Sequence, residues 1–492
     1  MFIVYVVLAR ISYGYTPRIS YHNMNYIDLF AGAGGLSEGF HNAGFHPVAH
    51  VEMDRDACDS IRTRLAWYEL RKEDKRELYN KYLRNLISRD ALYGMMPNGL
   101  MESVINMPIG EDTRDEIFRL IDAQRELLPE NHRQIDLIIG GPPCQTFSVA
   151  GRARKGREAM EDDPRSRLYV QYAEFLKKYK PRMFVFENVL GMLSFRKKQQ
   201  VSLIRQTFLE AGYHMDVREW NARDFGVLQS RDRLVIIGWP VNETKLGYPA
   251  FRTQQRDQHT VGEILANLPP LTIEESQKGK QAKKGAVKPV FNYPVSLERG
   301  LESDYIINSR LREECPVLTW HVARPHTASD RDIYRLYIEH WNTCGEEKPR
   351  LRYSQLPGHF QSHLNKDGFS DRFKVVAADK TYSQTVVAHI HKDGHYYIHP
   401  DLEQARSLSV REAARLQSFP DNFYFEGSRT SVLKQIGNAV PPLMATRIAE
   451  SVWDALNGQG EFLPPESPIG KNRSGKVDRL HAPAPVPLFK QD

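Results

Sequence analysis

Short apolar segments alternate with amphipathic helical stretches between residues 26 and 239. Five of these segments have the length and the composition of strands: residues 26–30, 47–52, 136–140, 183–187 and 234–238. Strands separated by helices are typical of βαβ units, in which helices cover the faces of a parallel sheet. The sequence therefore predicts an α/β fold with a mostly parallel sheet. A charged helical region at about residues 57–130 is longer than one crossover connection needs, which indicates an insertion.

A glycine turn follows the first of these strands. Gly32, Gly34 and Gly35 leave the backbone open to a ligand, and the turn leads into a helix. Glu52 ends the second strand, where a carboxylate can accept hydrogen bonds from both hydroxyls of a ribose. Glycines alone can form a tight structural turn, but a turn and an acid in one βαβ unit favour a nucleoside cofactor. The Gly-x-Gly-Gly spacing differs from the dinucleotide fingerprint, so NAD is disfavoured.

A thiol and a carboxyl group follow the next two strands. Cys144 comes shortly after the strand at 136–140, and Pro142 and Pro143 fix the direction of its approach. Glu187 ends the strand at 183–187. Because open α/β sheets keep their sites at the carboxyl edge, both groups can converge on one substrate. An isolated cysteine is otherwise more often an inert core residue.

Six sequence motifs, taken together, resemble the ordered motifs of the DNA cytosine-5 methyltransferases. They are DLFAGAGG at 28–35, GPPCQ at 141–145, ENV at 187–189, QSRDR at 229–233, REAARLQSFP at 411–420 and GNAVPP at 437–442. They occur in the family's order over residues 26–450, and the compact bacterial or phage modification enzymes are the closest type. The resemblance implies a Rossmann-like methyltransferase fold that uses S-adenosylmethionine, with a smaller irregular target-recognition domain.

The resemblance also implies a set of cofactor-binding residues. They are Phe30, Gly32, Gly34, Gly35, Glu52, Met53, Asp112, Leu168, Asn438 and Val440. Asp112 is the candidate for the acid at the adenine amino group, although the insertion obscures the register there. No metal site is predicted.

The chemistry of cytosine methylation gives the remaining motif residues their roles. A thiolate must attack carbon 6 of the ring to make carbon 5 nucleophilic, and Cys144 is the proposed attacker. Glu187 is the proposed acid at ring nitrogen 3; the alternative is an ionised glutamate paired with an arginine. The resemblance places Arg231 and Arg233 around the base. The base that removes the carbon 5 proton is not identified by the sequence.

Basic residues directly follow the proposed nucleophile. We expect Ser148, Arg152, Arg154 and Lys155 to contact DNA, on a loop that closes over the flipped-out base. The alternative is a solvated loop.

The alternation of apolar runs with amphipathic helical stretches is lost between about residues 241 and 376, which divides the chain into segments. We expect an extension at 1–24, a catalytic and cofactor-binding domain at 25–240 and 377–456, a target-recognition domain at 241–376 and a disordered tail at 457–492. Helices are predicted at 409–417 and at 442–456. A natural start at Met24 would make residues 1–23 an addition; the alternative is a genuine N-terminal strand or partner-binding arm.

Composition limits the function only weakly. The 492 residues carry a net charge of +6, which permits a polyanionic partner without requiring one. The four cysteines are widely spaced, which excludes a zinc ribbon or a disulfide framework and fits a reduced, cytoplasmic setting. The apolar run at 2–8 is too short to span a membrane.

Three other functions remain as alternatives. A transfer RNA cytosine-5 methyltransferase shares the catalytic motifs, but the long recognition region and the lack of a Cys-Phe-Thr signature favour DNA. A binding protein with an inactive catalytic site would have lost Cys144 or Glu187, but both are present. A dehydrogenase on the same fold would leave the GPPCQ and ENV motifs unexplained. We therefore expect a monomer that acts on double-stranded DNA, any cognate restriction endonuclease being a separate protein.

Overall fold

The structure is a computed structural model that describes most of the chain. The described residues are 24–143, 167–194, 199–253, 259–266, 268–271, 290–292, 303–312, 316–344, 351–361 and 372–464. Cys144, Ser148, Arg152, Arg154 and Lys155 lie outside these ranges, as does the predicted extension up to residue 23.

A seven-stranded sheet forms the centre of the molecule, with the strand order β3-β2-β1-β4-β5-β7-β6. Its strands are β1 Asn25–Leu29, β2 His46–Glu52, β3 Val104–Asn106, β4 Leu137–Gly140, β5 Met183–Asn188, β6 Tyr213–Asn221 and β7 Asp232–Pro240. The strands β1 to β5 pair in parallel, whereas β7 pairs antiparallel with both β5 and β6. The prediction of an α/β fold with a mostly parallel sheet is therefore confirmed.

Successive residues of the central strands enter separate cores on the two faces of this sheet. In β1, Ile27 and Leu29 pack into one core, while Tyr26 packs into the other. Helices cover both faces, so these strands are continuous apolar runs, as parallel strands usually are.

Fourteen helices lie in the described ranges. They are α1 Gly35–Asn42, α2 Arg55–Lys72, α3 Arg76–Leu83, α4 Arg89–Tyr93, α5 Arg114–Glu126, α6 Leu168–Tyr179, α7 Gly191–Ser194, α8 Gln200–Glu210, α9 Val261–Ala266, α10 Asp304–Asn308, α11 Ala328–Cys344, α12 Val410–Leu416, α13 Arg429–Asn438 and α14 Pro442–Leu456. None of the helices in this part of the chain is long and apolar enough to cross a membrane.

The charged region at 57–130 is not one helical insertion. It contains α2, the short helices α3 and α4, the strand β3 and the helix α5. The short helices pack around Trp67 in a small core that is separate from the cores of the large sheet. Val317 and Tyr424, from later in the chain, also belong to this core. The insertion therefore packs against residues from both predicted segments of the catalytic domain, 25–240 and 377–456.

The two halves of the catalytic domain also meet through α1 and α14. A Cβ atom at Gly39 would lie 2.3 Å from the backbone carbon of Ala445, so the two helices touch at a position that only glycine allows. The predicted helix at 409–417 is α12, and it begins with a capping box in which Ser409 and Glu412 bond each other's backbone amides.

The predicted recognition region contributes to two cores. A two-stranded sheet pairs β8 Val290–Asn292 with β9 Val317–Thr319. The helices α9 and α10 pack with α12 and α13. The helix α11 packs in a second core with Phe373, Val375, Ile398 and Ala405, which lie on both sides of residue 376.

Residues 461–463, which the sequence analysis assigned to the disordered tail, are ordered. The Leu463 amide donates to the Tyr248 carbonyl at 2.9 Å, and the Ala250 amide donates to the Glu461 carbonyl at 2.8 Å. The apolar Leu463 packs against the core on this face of the sheet.

Candidate active site

The glycine turn leaves β1 through residues with left-handed backbone angles. Phe30, Gly32 and Gly34 have φ values of 58°, 55° and 80°. A Cβ at Gly32 would have no atom within 4 Å, so open space lies in front of the turn. A Cβ at Gly35, in contrast, would lie 2.5 Å from the Val440 carbonyl oxygen. This contact brings the GNAVPP motif to the glycine turn, as the resemblance implied.

Glu52 closes one side of this space. Its two carboxylate oxygens accept hydrogen bonds from the amides of Gly32 and Asp54, both at 2.8 Å. Burial raises the pKa of Glu52, and these amide hydrogen bonds oppose the rise. Each carboxylate oxygen keeps a second lone pair for a ligand hydroxyl. Met53, the next residue, is 66% exposed beside it.

Asn106 is a residue of this site that the sequence analysis missed. It ends β3 directly opposite Glu52, and its Nδ2 donates to the carbonyls of Glu52 and Met53 at 3.1 and 3.0 Å. Asp112 instead lies exposed in the turn before α5. The β3 strand has only three residues, and buried and exposed residues do not alternate clearly along it. Nothing in the sequence therefore indicated that Asn106 pairs opposite Glu52.

Asn438 and Val440 flank the end of α13. Asn438 is its last residue and is exposed, whereas Val440 is buried. The Arg231 guanidinium holds this loop in place: it donates to the carbonyls of Ala439, Val386 and Gly437 at 2.8, 2.7 and 3.1 Å. Arg231 is fully buried and bonds these backbone carbonyls, whereas Arg233 bonds the Glu187 carboxylate.

Glu187 and Arg233 form the second part of the site. The Arg233 Nε atom lies 2.6 Å from Glu187 Oε1, and both side chains are largely buried. A Cβ at Gly141 would lie 2.9 Å from Glu187 Oε2, so glycine makes room for the carboxylate. Asn188 Nδ2 donates to the Pro142 carbonyl at 3.2 Å. The backbone that leads into Cys144 is therefore fixed against Glu187 and its neighbour.

Leu168 is the first residue of α6 and is half-buried. The Cys58 thiol donates a hydrogen bond to the Glu52 carbonyl at 3.3 Å. Burial raises the pKa of this thiol to about 12, so Cys58 stays protonated at neutral pH.

Both parts of the site lie at the carboxyl edge of the parallel strands. The glycine turn follows β1 and the Gly141 turn follows β4, and these neighbouring strands mark the switch point of the sheet. Open α/β sheets bind ligands at such a point. Fold and site together define a doubly wound α/β enzyme.

Comparison with known families gives the particular class. The chain matches the model of the C-5 cytosine-specific DNA methylase family over residues 24–97 and 112–454, and it belongs to this family. It is a DNA cytosine-5 methyltransferase. The break in the match, between residues 97 and 112, contains β3 and Asn106.

Relatives of known name extend over almost the same length. Type II methyltransferase M.Bpa9945I of Bacillus paralicheniformis is 38% identical over 460 residues, which are 88% of this chain and 99% of that protein. Type II methyltransferase M1.HphI of Haemophilus parahaemolyticus is 28% identical over 433 residues, 87% of each chain. The crystal structure of a prophage-encoded DNA modification methyltransferase from E. coli covers 88% of this chain with a TM-score of 0.57 and 21% identity, and it has the same fold. The predicted family, activity and fold are thus confirmed.

Proposed function

We propose that this enzyme methylates carbon 5 of a cytosine in a specific sequence of duplex DNA, with S-adenosylmethionine as the methyl donor and Cys144 as the nucleophile. One observation carries the assignment of the residues. The Glu187 carboxyl group, held by Arg233, lies against Gly141, three residues before Cys144. An acid and the segment that leads into Cys144 are therefore neighbours at the edge of the sheet where the glycine turn also lies.

The residues around the glycine turn suit a nucleoside sulfonium. Glu52 would accept hydrogen bonds from the ribose hydroxyls, Met53 would offer an exposed apolar side chain to the adenine, and the open space before Gly32 would admit the ligand. Bound there, S-adenosylmethionine supplies an electrophilic methyl group. Phe30, Gly34, Gly35, Leu168, Asn438 and Val440 complete the proposed site. Asp112 is less well placed for the adenine amino group than Asn106, whose side chain lies beside Glu52 and Met53.

Cys144 and Glu187 divide the work on the cytosine ring. The Cys144 sulfur forms a bond to carbon 6, which moves electron density onto carbon 5 and ring nitrogen 3. Glu187 lowers the cost of that charge by donating a proton or a strong hydrogen bond to ring nitrogen 3. Arg233 orients the carboxyl group through the bond at 2.6 Å. Once carbon 5 has taken up the methyl group, loss of its proton to a base restores the ring double bond and expels the sulfur.

Arg231 acts as a positioning residue in this proposal. Its hydrogen bonds fix the loop around Ala439, and that loop touches Gly35 of the cofactor turn. It therefore supports the cofactor site rather than the base.

The remaining expectations concern the partner DNA and the setting. We infer that the enzyme is a cytoplasmic monomer that flips its target base out of the duplex, at a cost of a few kcal/mol. Ser148, Arg152, Arg154 and Lys155 follow the nucleophile and are proposed to contact the DNA around it. The type II names of its relatives are consistent with a modification role beside a separate restriction endonuclease.

Sequencing of bisulfite-treated DNA tests the proposal directly. DNA from cells that express the enzyme should carry protected cytosines within one recurring sequence. DNA from cells that express Cys144→Ser should carry none, because a serine hydroxyl is a far weaker nucleophile than a thiolate.

The same variant separates chemistry from binding. Cys144→Ser should still bind S-adenosylmethionine in calorimetry, and the parent should form a covalent adduct with duplexes that carry 5-fluorocytosine at the target. Methylation by the serine variant at the parent's rate would refute covalent catalysis by Cys144.

A further inference from the structure

A side chain from α2 holds the short edge strand β3 in place. The Arg62 guanidinium donates from Nε to the Met101 carbonyl at 3.1 Å and from Nη2 to the Val104 carbonyl at 2.7 Å. Val104 is the first of the three residues of β3, which lies at the edge of the sheet. Because a strand of this length pairs with only one neighbour and over few residues, the two bonds from Arg62 help to fix where it starts.

The Arg62 side chain is itself held in one orientation. Its Nη1 atom bonds the Asp59 carboxylate at 2.9 Å, and Asp59 also bonds Arg89 at 2.8 Å. The side chains of Asp59 and Arg62 are mostly buried. Each of the three guanidinium nitrogens of Arg62 therefore has a partner, and the planar group cannot turn without losing a bond.

The amide of Asn106, two residues after Val104, is also fixed. Its Nδ2 atom donates to the carbonyls of Glu52 and Met53, which uses both of its protons. The reverse orientation of the amide would set its oxygen against two carbonyl oxygens. The Oδ1 atom accepts no hydrogen bond from the residues that the structure describes, and Asn106 is exposed. A hydrogen-bond acceptor is thus available to a ligand beside Glu52 and Met53.

We propose that Arg62 is a positioning residue for the cofactor: it sets the place of β3, so that Asn106 Oδ1 accepts a hydrogen bond from the amino group of the adenine. The amide offers only an acceptor there, so the site prefers a base with an exocyclic amine to one with an oxo group, whose oxygen would face Oδ1. Asn106 and both carbonyls lie within residues 98–111, which the family model does not match. The inference rests on the proposed binding of S-adenosylmethionine.

The binding of two nucleosides tests this proposal without turnover. S-adenosylhomocysteine and its inosine counterpart, in which an oxo group replaces the amine, should each be titrated into the enzyme by calorimetry. The parent should bind the adenosine compound more tightly by about tenfold or more, as expected when a site built for a donor receives an acceptor. In Arg62→Met this preference should fall toward one, through weaker binding of the adenosine compound.

The preference separates positioning from a general loss of structure. A variant that is merely destabilised should bind both compounds less tightly to the same degree, so its preference should equal that of the parent. Asn106→Ala should lose the preference as Arg62→Met does. The double variant should lose no more of it than either single variant, because both changes remove the same interaction.

Arg119→Met is the matched control. Arg119 lies on α5 and pairs with Glu116, three residues earlier, just as Arg62 pairs with Asp59, but its side chain is exposed. Both affinities should equal those of the parent. Arg62→Lys keeps the positive charge without the planar fork that bonds both carbonyls, so the preference should fall in this variant too. Thermal unfolding of each variant verifies that it is folded.

The possible results have distinct meanings. The parent's preference in folded Arg62→Met or in Arg62→Lys would overturn the positioning role of the guanidinium. Equal binding of the two compounds by the parent would overturn the contact from Asn106. A parent enzyme that binds neither compound would overturn the proposed cofactor site instead.

Discussion

The ion pair between Glu187 and Arg233 joins two residues that the sequence analysis assigned to one site. It also matches the alternative considered there, an ionised glutamate held by an arginine. The arginine bonds Oε1, while Oε2 lies on the side of Gly141, so a proton on Oε2 would be available to ring nitrogen 3, whereas a fully ionised carboxylate could not donate one. A carboxyl group held in this way has one oxygen for positioning and one for the substrate.

Glu187→Gln should distinguish catalysis from structure at this position. Glutamine keeps the size and the hydrogen bond to Arg233 but has no proton to transfer, so the single-turnover rate should fall by about a hundredfold or more. DNA binding should weaken much less. A single-turnover rate equal to that of the parent would show that the carboxylate has only a structural task.

The two arginines of the QSRDR motif should respond differently to the same change. Arg231→Met leaves three backbone carbonyls without their donor, so the free energy of unfolding should fall by more than about 2 kcal/mol. Arg233→Met removes the partner of a largely buried carboxylate, so it should also cost some stability, but less than Arg231→Met, and it should slow the methyl-transfer step. Urea unfolding and single-turnover kinetics on both variants check this contrast, and equal stability losses would argue against it.

The sequence could not separate these two arginines. The resemblance to the family placed both around the base, and residues two apart would indeed point to the same side of a strand. The strand β7 begins only at Asp232, and Arg231 precedes it in a loop whose direction depends on distant carbonyls. Asn106 was missed for a similar reason, because its place beside Glu52 depends on the pairing of a three-residue strand.

At the scale of elements, the sequence predicted the strands that are continuous apolar runs and the helices that have clear start and stop signals. The five predicted strands correspond to β1, β2, β4, β5 and β7, and the helices α12 and α14 begin and end within a residue of prediction. The strand β6 was missed because it lies at the edge of the sheet and is not a continuous apolar run: its buried residues are separated by half-buried or exposed polar ones, including charged ones. The antiparallel direction of β7 has no local signature in the sequence.

The contact between α1 and α14 is an element-scale feature that substitution can test. Gly39→Ala would place a Cβ within 2.4 Å of three atoms of the facing helix, two of them backbone. Overpacking of this kind costs about 1–3 kcal/mol, more than the roughly 1 kcal/mol that alanine gains in helix propensity. We expect lower stability in urea unfolding and weaker cofactor binding, since α1 follows the glycine turn.

Gly358→Ala is the control for this change. A Cβ there would meet no atom within 4 Å, so stability should stay within about 0.5 kcal/mol of the parent. If Gly39→Ala were equally neutral, the two helices would have to be farther apart than the structure places them.

At the scale of the whole molecule, cores cross the divisions that composition suggests. The core around α11 includes Ile398 and Ala405, beyond the predicted end of the recognition region at residue 376. Loss of periodicity marks where regular elements end, but it does not show which side chains pack together. When the recognition region is exchanged between relatives, the exchanged segment should therefore extend past residue 405, so that α11 keeps Ile398 and Ala405 as packing partners.

Buried histidines give the whole molecule a predictable response to acid. Burial lowers the pKa of His50 to about 3 and that of His399 to about 4. In the unfolded chain these groups titrate near their ordinary value of 6.5. Below that pH the unfolded state binds more protons than the folded state, so stability must fall as the pH is lowered from about 6.5. Glu412, whose pKa burial would raise but Arg406 lowers, adds a further loss below pH 4.5.

The histidine contribution can be isolated with His50→Gln. Each neutral buried histidine contributes up to about 1.4 kcal/mol of lost stability per pH unit between the two pKa values. Urea unfolding between pH 7.5 and about pH 5 should therefore show a shallower fall for His50→Gln than for the parent, even if the variant is less stable at pH 7.5. The exposed His359 provides the control, and His359→Gln should follow the parent. Parallel profiles for His50→Gln and the parent would mean that solvation, a nearby negative charge or a hydrogen bond keeps the pKa of His50 near its unfolded value, and would contradict the dominant effect of burial.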